Sequence, residues 1–260
     1  MAEPLVDRVL LTNDDGIDAP GLAVLEEVAA GLAREVWVVA PERDQSGTSH
    51  SISLHDPLRT TQQGERRFAV LGTPGDCVVL AVRHLMVEAL PDLVLSGVNR
   101  GGNVGVETVF SGTVGAAMTA LLLGLPAIAL SQLFSYREPV HWETARSLAP
   151  GVIRQLMASS WNAQRACLNV NFPHATPDLA GPLTPTRQGV GLIQTVDVHE
   201  RTDPRGINYQ WLQFRRGPRE NAPDTEVAVV MSGRISVTPL RFERTDEESF
   251  ATLSDALGTT

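Results

Sequence analysis

The stretch Asn13-Asp14-Asp15-Gly16 holds the residue types in this chain best suited to chemistry. With Thr12 it directly follows the apolar run Val9-Leu10-Leu11, and a helical pattern opens near Pro20. Two adjacent carboxylates therefore stand at the C-terminal end of a first strand, the edge where open α/β sheets bind ligands. Side by side they repel and are costly to desolvate, and a hard divalent cation with oxygen ligands would neutralise both. Alone, the same residues also describe a polar turn with Asp18 capping the helix.

Three more polar loops follow predicted strands. Arg43-Asp44-Gln45-Ser46-Gly47 with Thr48-Ser49-His50 follows Val36–Val39, Gly72-Thr73-Pro74-Gly75-Asp76 follows Phe68–Leu71, and Ser96–Asn103 follows Leu93–Leu95. In a parallel sheet such loops converge on one edge. Gly97, Gly101, Gly102 and Gly105 would let backbone amides approach an anion. Phe110-Ser111-Gly112-Thr113 opens a helix, and hydroxyls with free N–H groups at a helix N-terminus suit phosphate. The structural alternative is plain N-capping by Ser111 or Thr113. Asn13, Asn103, Ser111, Gly112 and Thr113 are the candidate phosphate holders.

Other chemistries are excluded or weak. The 21 basic residues are all arginine, which removes a Walker A lysine and a Schiff-base lysine. No Gly-x-Gly-x-x-Gly, Walker A or Gly-x-Ser-x-Gly spacing occurs. A dehalogenase-type phosphatase needs Asp-x-Asp and a later lysine; here the acids are adjacent. His50 could serve as acid or cation toward phosphate, or be structural. His55, His84, His141, His174 and His199 are scattered without zinc-like spacing.

The elements that position these loops read as α/β. The chain has 260 residues, 43% hydrophobic and 20% charged, enough for one large domain with an extension. Short apolar strands alternate with helices over Pro20–Ala33, Pro74–Ala89 and Val114–Leu123, and Ala127–Leu130 closes the series. This pattern predicts a doubly wound, mostly parallel sheet with helices on both faces. A helix over Trp142–Ala158 and strands at Ala166–Val170 and Ile235–Leu240 follow. Gly191–Val198 and Asn208–Phe214 predict a β-hairpin arm. Its Val190, Leu192, Tyr209, Trp211 and Phe214 are expected to bury against another subunit. The division expected is a catalytic core over 1–180, then an arm, late strand and tail over 181–260.

A net charge of −9 without a basic block argues against a nucleic-acid polymer as partner. No apolar run reaches the roughly 18 residues of a membrane span. The N-terminal residues lack the pattern of a secretory signal. Two distant cysteines, Cys77 and Cys167, predict buried free thiols and a cytoplasmic location.

The order of motifs carries a resemblance. Leu-Leu-Thr-Asn-Asp-Asp-Gly-Ile, Val-Ala-Pro-x4-Ser-Gly, Gly-Thr-Pro-x-Asp-Cys, Ser-Gly-x-Asn-x-Gly-x-Asn, Phe-Ser-Gly-Thr-Val-Gly-Ala-Ala and Ser-Val-Thr-Pro-Leu resemble the SurE family, the stationary-phase survival 5'/3'-nucleotidases. The match is densest from 9 to 131. The resemblance implies a Rossmann-like core, one divalent metal ion per subunit, and a C-terminal arm exchanged within a homodimer or homotetramer. It places the metal ligands on Asp14, Asp15, Ser46 and Asn99, and makes Asn13, Asp14 and Asp15 the catalytic candidates. Phe110 stands where tyrosine is common, and Gly75 where alanine is common. Carboxylate, hydroxyl and amide are all oxygen donors suited to Mg²⁺, Mn²⁺ or Ca²⁺. The expected activity is metal-dependent hydrolysis of nucleoside 5'- and 3'-monophosphates; a non-catalytic nucleotide or phosphate sensor on the same fold is the alternative.

Overall fold

Leu10 faces one side of its sheet while Val9 and Leu11 face the other, and this period-two alternation sorts the core into two layers. The structure, a computed structural model, describes residues 3–135 and 137–258. β1 (Val6–Thr12) leads into α1 (Pro20–Ala30), β2 (Ala33–Pro41), β3 (Arg59–Gly64) and β4 (Arg67–Leu71). Next come α2 (Pro74–Leu80), β5 (Leu93–Arg100), α3 (Gly112–Leu122), β6 (Ala127–Gln132), α4 (Trp142–Ala158) and β7 (Cys167–Phe172). β8 (Gly181–Pro185), β9 (Ile193–Thr202), β10 (Asn208–Arg216), α5 (Glu226–Met231), β11 (Arg234–Leu240) and α6 (Glu247–Leu257) complete the order.

Nine strands form one sheet in the order β3-β4-β2-β1-β5-β6-β7-β11-β8. Pairing is parallel from β4 through β7, and antiparallel only where β3 meets β4 and β11 meets β7. On one face, Leu22, Leu25 and Val28 of α1 pack with Val152, Ile153 and Leu156 of α4 over the sheet. On the other, Cys77 and Val78 of α2 pack with Val114, Ala117 and Met118 of α3. Each such fully buried aliphatic side chain contributes about 1.5–3 kcal/mol relative to exposure. The doubly wound, mostly parallel sheet expected from the sequence is the fold observed.

Several boundaries differ from the sequence reading, each for a local reason. The helix expected to reach Ala89 gives way at Leu80 to a π-helical turn over Ala81–Leu85. Asp18 does not cap α1; the cap position is Ala19, without a side-chain bond, and Pro20 opens the helix, where its fixed φ is favourable. β3 was invisible to hydrophobic patterning because every residue of it is exposed. β8 was hidden by Pro182 and Pro185, which the outer strand of a sheet tolerates.

β8 and β11 belong to the main sheet, so the chain beyond residue 180 contributes to the core. Only β9–β10 and α6 stand off it. The antiparallel hairpin pairs Asn208 with Thr202 through Arg216 with Ile193. None of the residues of α6 is buried. Among the described residues, no helix is long and apolar enough to cross a membrane. Cys77 and Cys167 are free and buried, and burial pushes both thiols up, Cys167 to about 12.

Candidate active site

The loops after β1, β2 and β5 and the start of α3 meet, as parallel pairing requires, at one edge of the sheet. They enclose a cavity of about 610 Å³. Asp14, Asp15, Ser46, Asn99, Asn103 and Ser111 all line it. These residues come from four separate stretches of sequence, so the fold supplies their proximity.

Asp14 is buried, 4% exposed. Its Oδ1 accepts from the hydroxyl of Thr113, and its backbone carbonyl accepts from Gln45 N at 2.7 Å. The close approach of α3 to this carboxylate requires a residue without Cβ: a methyl built on Gly112 would lie 2.7 Å from Asp14 Cβ. Asp15 Oδ2 accepts from Arg100 N at 3.0 Å. Burial is the main cause that pushes the Asp14 carboxyl up to about 6, and the Asp15 charge adds to it. Burial and the neighbouring Asp44 likewise raise Asp15, against the pull of the Arg100 N–H. The site thus holds carboxylates that the protein alone stabilises poorly as anions, and lacks a counter-charge of its own at Asp14.

The remaining candidates divide. Ser46 N donates to Asp44 Oδ1 at 2.7 Å, and Asn99 Nδ2 donates to Gly101 O at 2.9 Å. Ser111 caps α3, accepting from Val114 N at 3.1 Å, and lines the cavity as well; the two readings of this residue hold together. Asn13, Gly112 and Thr113 do not line the cavity. Asn13 is 1% exposed; its amide donates to Gly16 O at 2.8 Å while its Oδ1 is buried without a partner. Thr113 is fully buried and acts on Asp14.

The loop glycines divide: Gly101 and Gly102 line the cavity, whereas Gly105 serves packing. Gly105 has φ +58, and a Cβ there would stand 2.1 Å from Gly191 N, so the glycine turn is fitted against the base of the hairpin arm. Asn103 is held by strands rather than by its loop. Asn171 Oδ1 accepts from Asn103 N at 2.8 Å, Asn169 Nδ2 donates to Asn103 O at 2.8 Å, and Asn103 Nδ2 donates to Ser131 Oγ at 2.8 Å.

The arm also reaches the site, which the sequence did not indicate. Phe214 of β10 and Phe110 pack as a tilted pair, with ring centroids 5.2 Å apart and planes at 44°. Arg216 Nε meets the buried Glu107 Oε2 at 2.9 Å, and Glu107 Oε1 accepts from Leu192 N at 3.2 Å. These residues and Asp44 line the same cavity. Leu192 and Phe214, expected to bury against another subunit, wall this chain's own cavity, whereas Val190, Tyr209 and Trp211 are exposed. A hydrophobic alternation in the arm was legible; the fold decides which of its faces turns inward. The expected scatter of histidines is corrected in one place: His141 and His174 are brought together, with ring centroids 4.8 Å apart.

An open α/β sheet with a polar, acid-bearing cavity at the carboxyl ends of its strands defines a ligand-binding protein of Rossmann-like class. The family model described as "Survival protein SurE" matches residues 9–194. The chain belongs to the SurE family. It is 60% identical over 255 residues to "5'-nucleotidase SurE 1" of Burkholderia lata, covering 98% of each chain. It is 48% identical to "5'-nucleotidase SurE" of a Bradyrhizobium species, covering 96% of this chain and all of that one. The solved structure of the SurE protein from Aquifex aeolicus matches with TM-score 0.80 at 32% identity, over 96% of this chain and 99% of that one.

Proposed function

We propose that this chain is a metal-dependent nucleotidase that releases phosphate from nucleoside 5'-monophosphates, with 3'-monophosphates as a further substrate class. The observation that carries the reading is the buried carboxylate pair: Asp14 and Asp15 share one cavity with hydroxyl and amide oxygens, and burial raises both. The names of close relatives support the activity.

The donor set fits a hard divalent cation of the Mg²⁺, Mn²⁺ or Ca²⁺ kind, because all its atoms are oxygens and two are carboxylates. Asp14, Asp15, Ser46 and Asn99 would hold it. When bound, such an ion polarises a phosphoryl oxygen and lowers the pKa of a coordinated water. Thr113 fixes the Asp14 carboxylate through its hydroxyl, and the Arg100 N–H fixes Asp15. Ser111 and Asn103 face the cavity beside the first amides of α3, where an anion is favoured. Phe110 and Phe214 offer ring faces to a nucleobase, and the Glu107–Arg216 pair closes that wall.

The exposed side of the hairpin and α6 support self-association. Val198, Trp211 and Leu212 are 63%, 62% and 73% exposed, and Phe250, Leu253 and Leu257 of α6 are 59%, 59% and 73% exposed. An amphipathic helix with no buried residue needs a partner surface. A second copy of the chain exchanging these elements gives a homodimer, or a homotetramer by repetition. Free thiols support a cytoplasmic location.

Phosphate release from a nucleoside 5'-monophosphate, its 3'-isomer and p-nitrophenyl phosphate, each with Mg²⁺, Mn²⁺ or chelator, tests the reading. Metal-dependent release is expected, fastest for the nucleotide. Tight nucleotide binding without release under any metal would overturn it in favour of a sensor.

A further inference from the structure

A second cluster of ligating side chains lies outside the cavity. Glu138, His141 and His174 each offer one ligand atom, and the three atoms lie within 4.8 Å of one another. Glu138 sits in the segment joining β6 to α4, His141 immediately precedes α4, and His174 follows β7. His174 Nε2 is 3.0 Å from Glu138 Oε2, and His141 Nε2 is 4.0 Å from the same oxygen. None of the three lines the active-site cavity.

From this geometry we propose a second metal site, formed by Glu138, His141 and His174 and suited to a borderline cation such as Zn²⁺. Two imidazoles and one carboxylate are a donor set for zinc, in contrast to the all-oxygen set around Asp14. Ligands of one tetrahedral zinc ion, bonded at about 2.0–2.2 Å, stand roughly 3.5 Å apart. The His174–Glu138 and His141–Glu138 spacings bracket that value, and no two of the three ligand atoms are more than 4.8 Å apart. The two imidazoles bind as neutral rings, any proton on a ligating nitrogen moves to the other ring nitrogen or leaves to solvent, and water fills the fourth position.

The supports of the cluster are already fixed. Pro173 O accepts from Gln132 Nε2 at 2.7 Å, and Ala175 O accepts from the Thr144 hydroxyl. Glu138 N donates to Ser135 O at 3.1 Å, and Thr144 N donates to His141 O at 3.0 Å. The metal would staple the segment after β6 to the end of β7. Phe134 of that segment lines the cavity, and the Arg100 guanidinium lies 4.8 Å from its ring centroid. Arg100 N is the donor to Asp15. The site is therefore a brace for one wall of the cavity.

The full chain, stripped with a chelator, is titrated with Zn²⁺ in excess Mg²⁺, in parallel with the Asp14→Asn/Asp15→Asn variant. One tight zinc equivalent per chain is expected in both, with a rise in Tm that follows zinc concentration. Loss of a ligand costs at least the upper end of what outer partners contribute, so His141→Ala and His174→Ala should each bind zinc about 100-fold more weakly. Glu138→Gln should fall between. Circular dichroism confirms that each variant is folded. The proposal is overturned if wild type takes up no zinc, if the tight equivalent disappears in the Asp14/Asp15 variant, or if folded histidine variants bind as tightly as wild type.

Discussion

Asp14 is an acid that the fold holds against its preference for charge. Burial raises its carboxyl from 3.8 to about 6. As pH rises through this interval the unfolded chain ionises first, so the metal-free folded protein binds more protons and loses stability. The loss is complete above the folded value and is on the order of 3 kcal/mol for this group. Urea midpoints of metal-free protein should therefore fall between about pH 4 and pH 6. Asp14→Asn should flatten that slope, hold or raise the metal-free Tm, and reduce hydrolysis to background, as should Asp15→Asn for hydrolysis; near-wild-type turnover in either variant would refute the proposed metal site. Ser111 has two jobs that one substitution separates. Ser111→Ala should cost about 1 kcal/mol of stability as a lost cap. Its kcat/KM per folded molecule should fall by a further 2–4 kcal/mol, roughly 30- to 1,000-fold, if the hydroxyl also meets phosphate in the transition state. Unchanged kcat/KM would leave Ser111 as a cap alone.

At the scale of elements, the acid pair, the loop serine and the helix start were legible because each sits at a strand end or cap whose local signals are strong. Asn169 and Asn171 were not, because they are polar residues inside β7, where patterning expects only apolar ones, and their partner Asn103 is far away in sequence. Phe214 and Arg216 were read as part of an arm but not as part of a site, since nothing local says where a hairpin lies down. Glu226 of α5 was missed for the same reason. It is fully buried, accepting from Gly105 N and, at 2.8 Å, from Gly189 N. Glu226→Leu strands the buried Gly105 N–H, at about 1–3 kcal/mol, and leaves the partly buried Gly189 N–H without its partner. Chemical denaturation should show that loss, with a rise in KM as the hairpin base loosens. Phe214→Ala should raise KM for nucleotides more than for p-nitrophenyl phosphate; equal effects on both would remove the ring from base recognition.

For the whole molecule, the outer face of β9–β10 and the apolar side of α6 leave more hydrophobic surface exposed than a lone chain of this size comfortably carries. Replacing residues 195–214 with a short turn spares β8, and should convert an oligomer to a monomer while leaving the nine-stranded sheet folded. Sedimentation of the unmodified chain as a compact monomer at micromolar concentration would defeat the assembly proposal.

The hairpin has two ends with different duties. Its base sets Phe214 and Arg216 into the cavity, and its flanks present Trp211 and Leu212 outward. Dilution would then act on the enzyme as an inhibitor does. If the chains are associated through those flanks, separating them would leave the roof held only by this chain's own contacts of Phe214 with Phe110 and Arg216 with Glu107, and turnover per chain should fall with concentration and recover with a lag on reconcentration. A cell holding this protein near the dissociation constant of that assembly could set activity by abundance more steeply than in proportion.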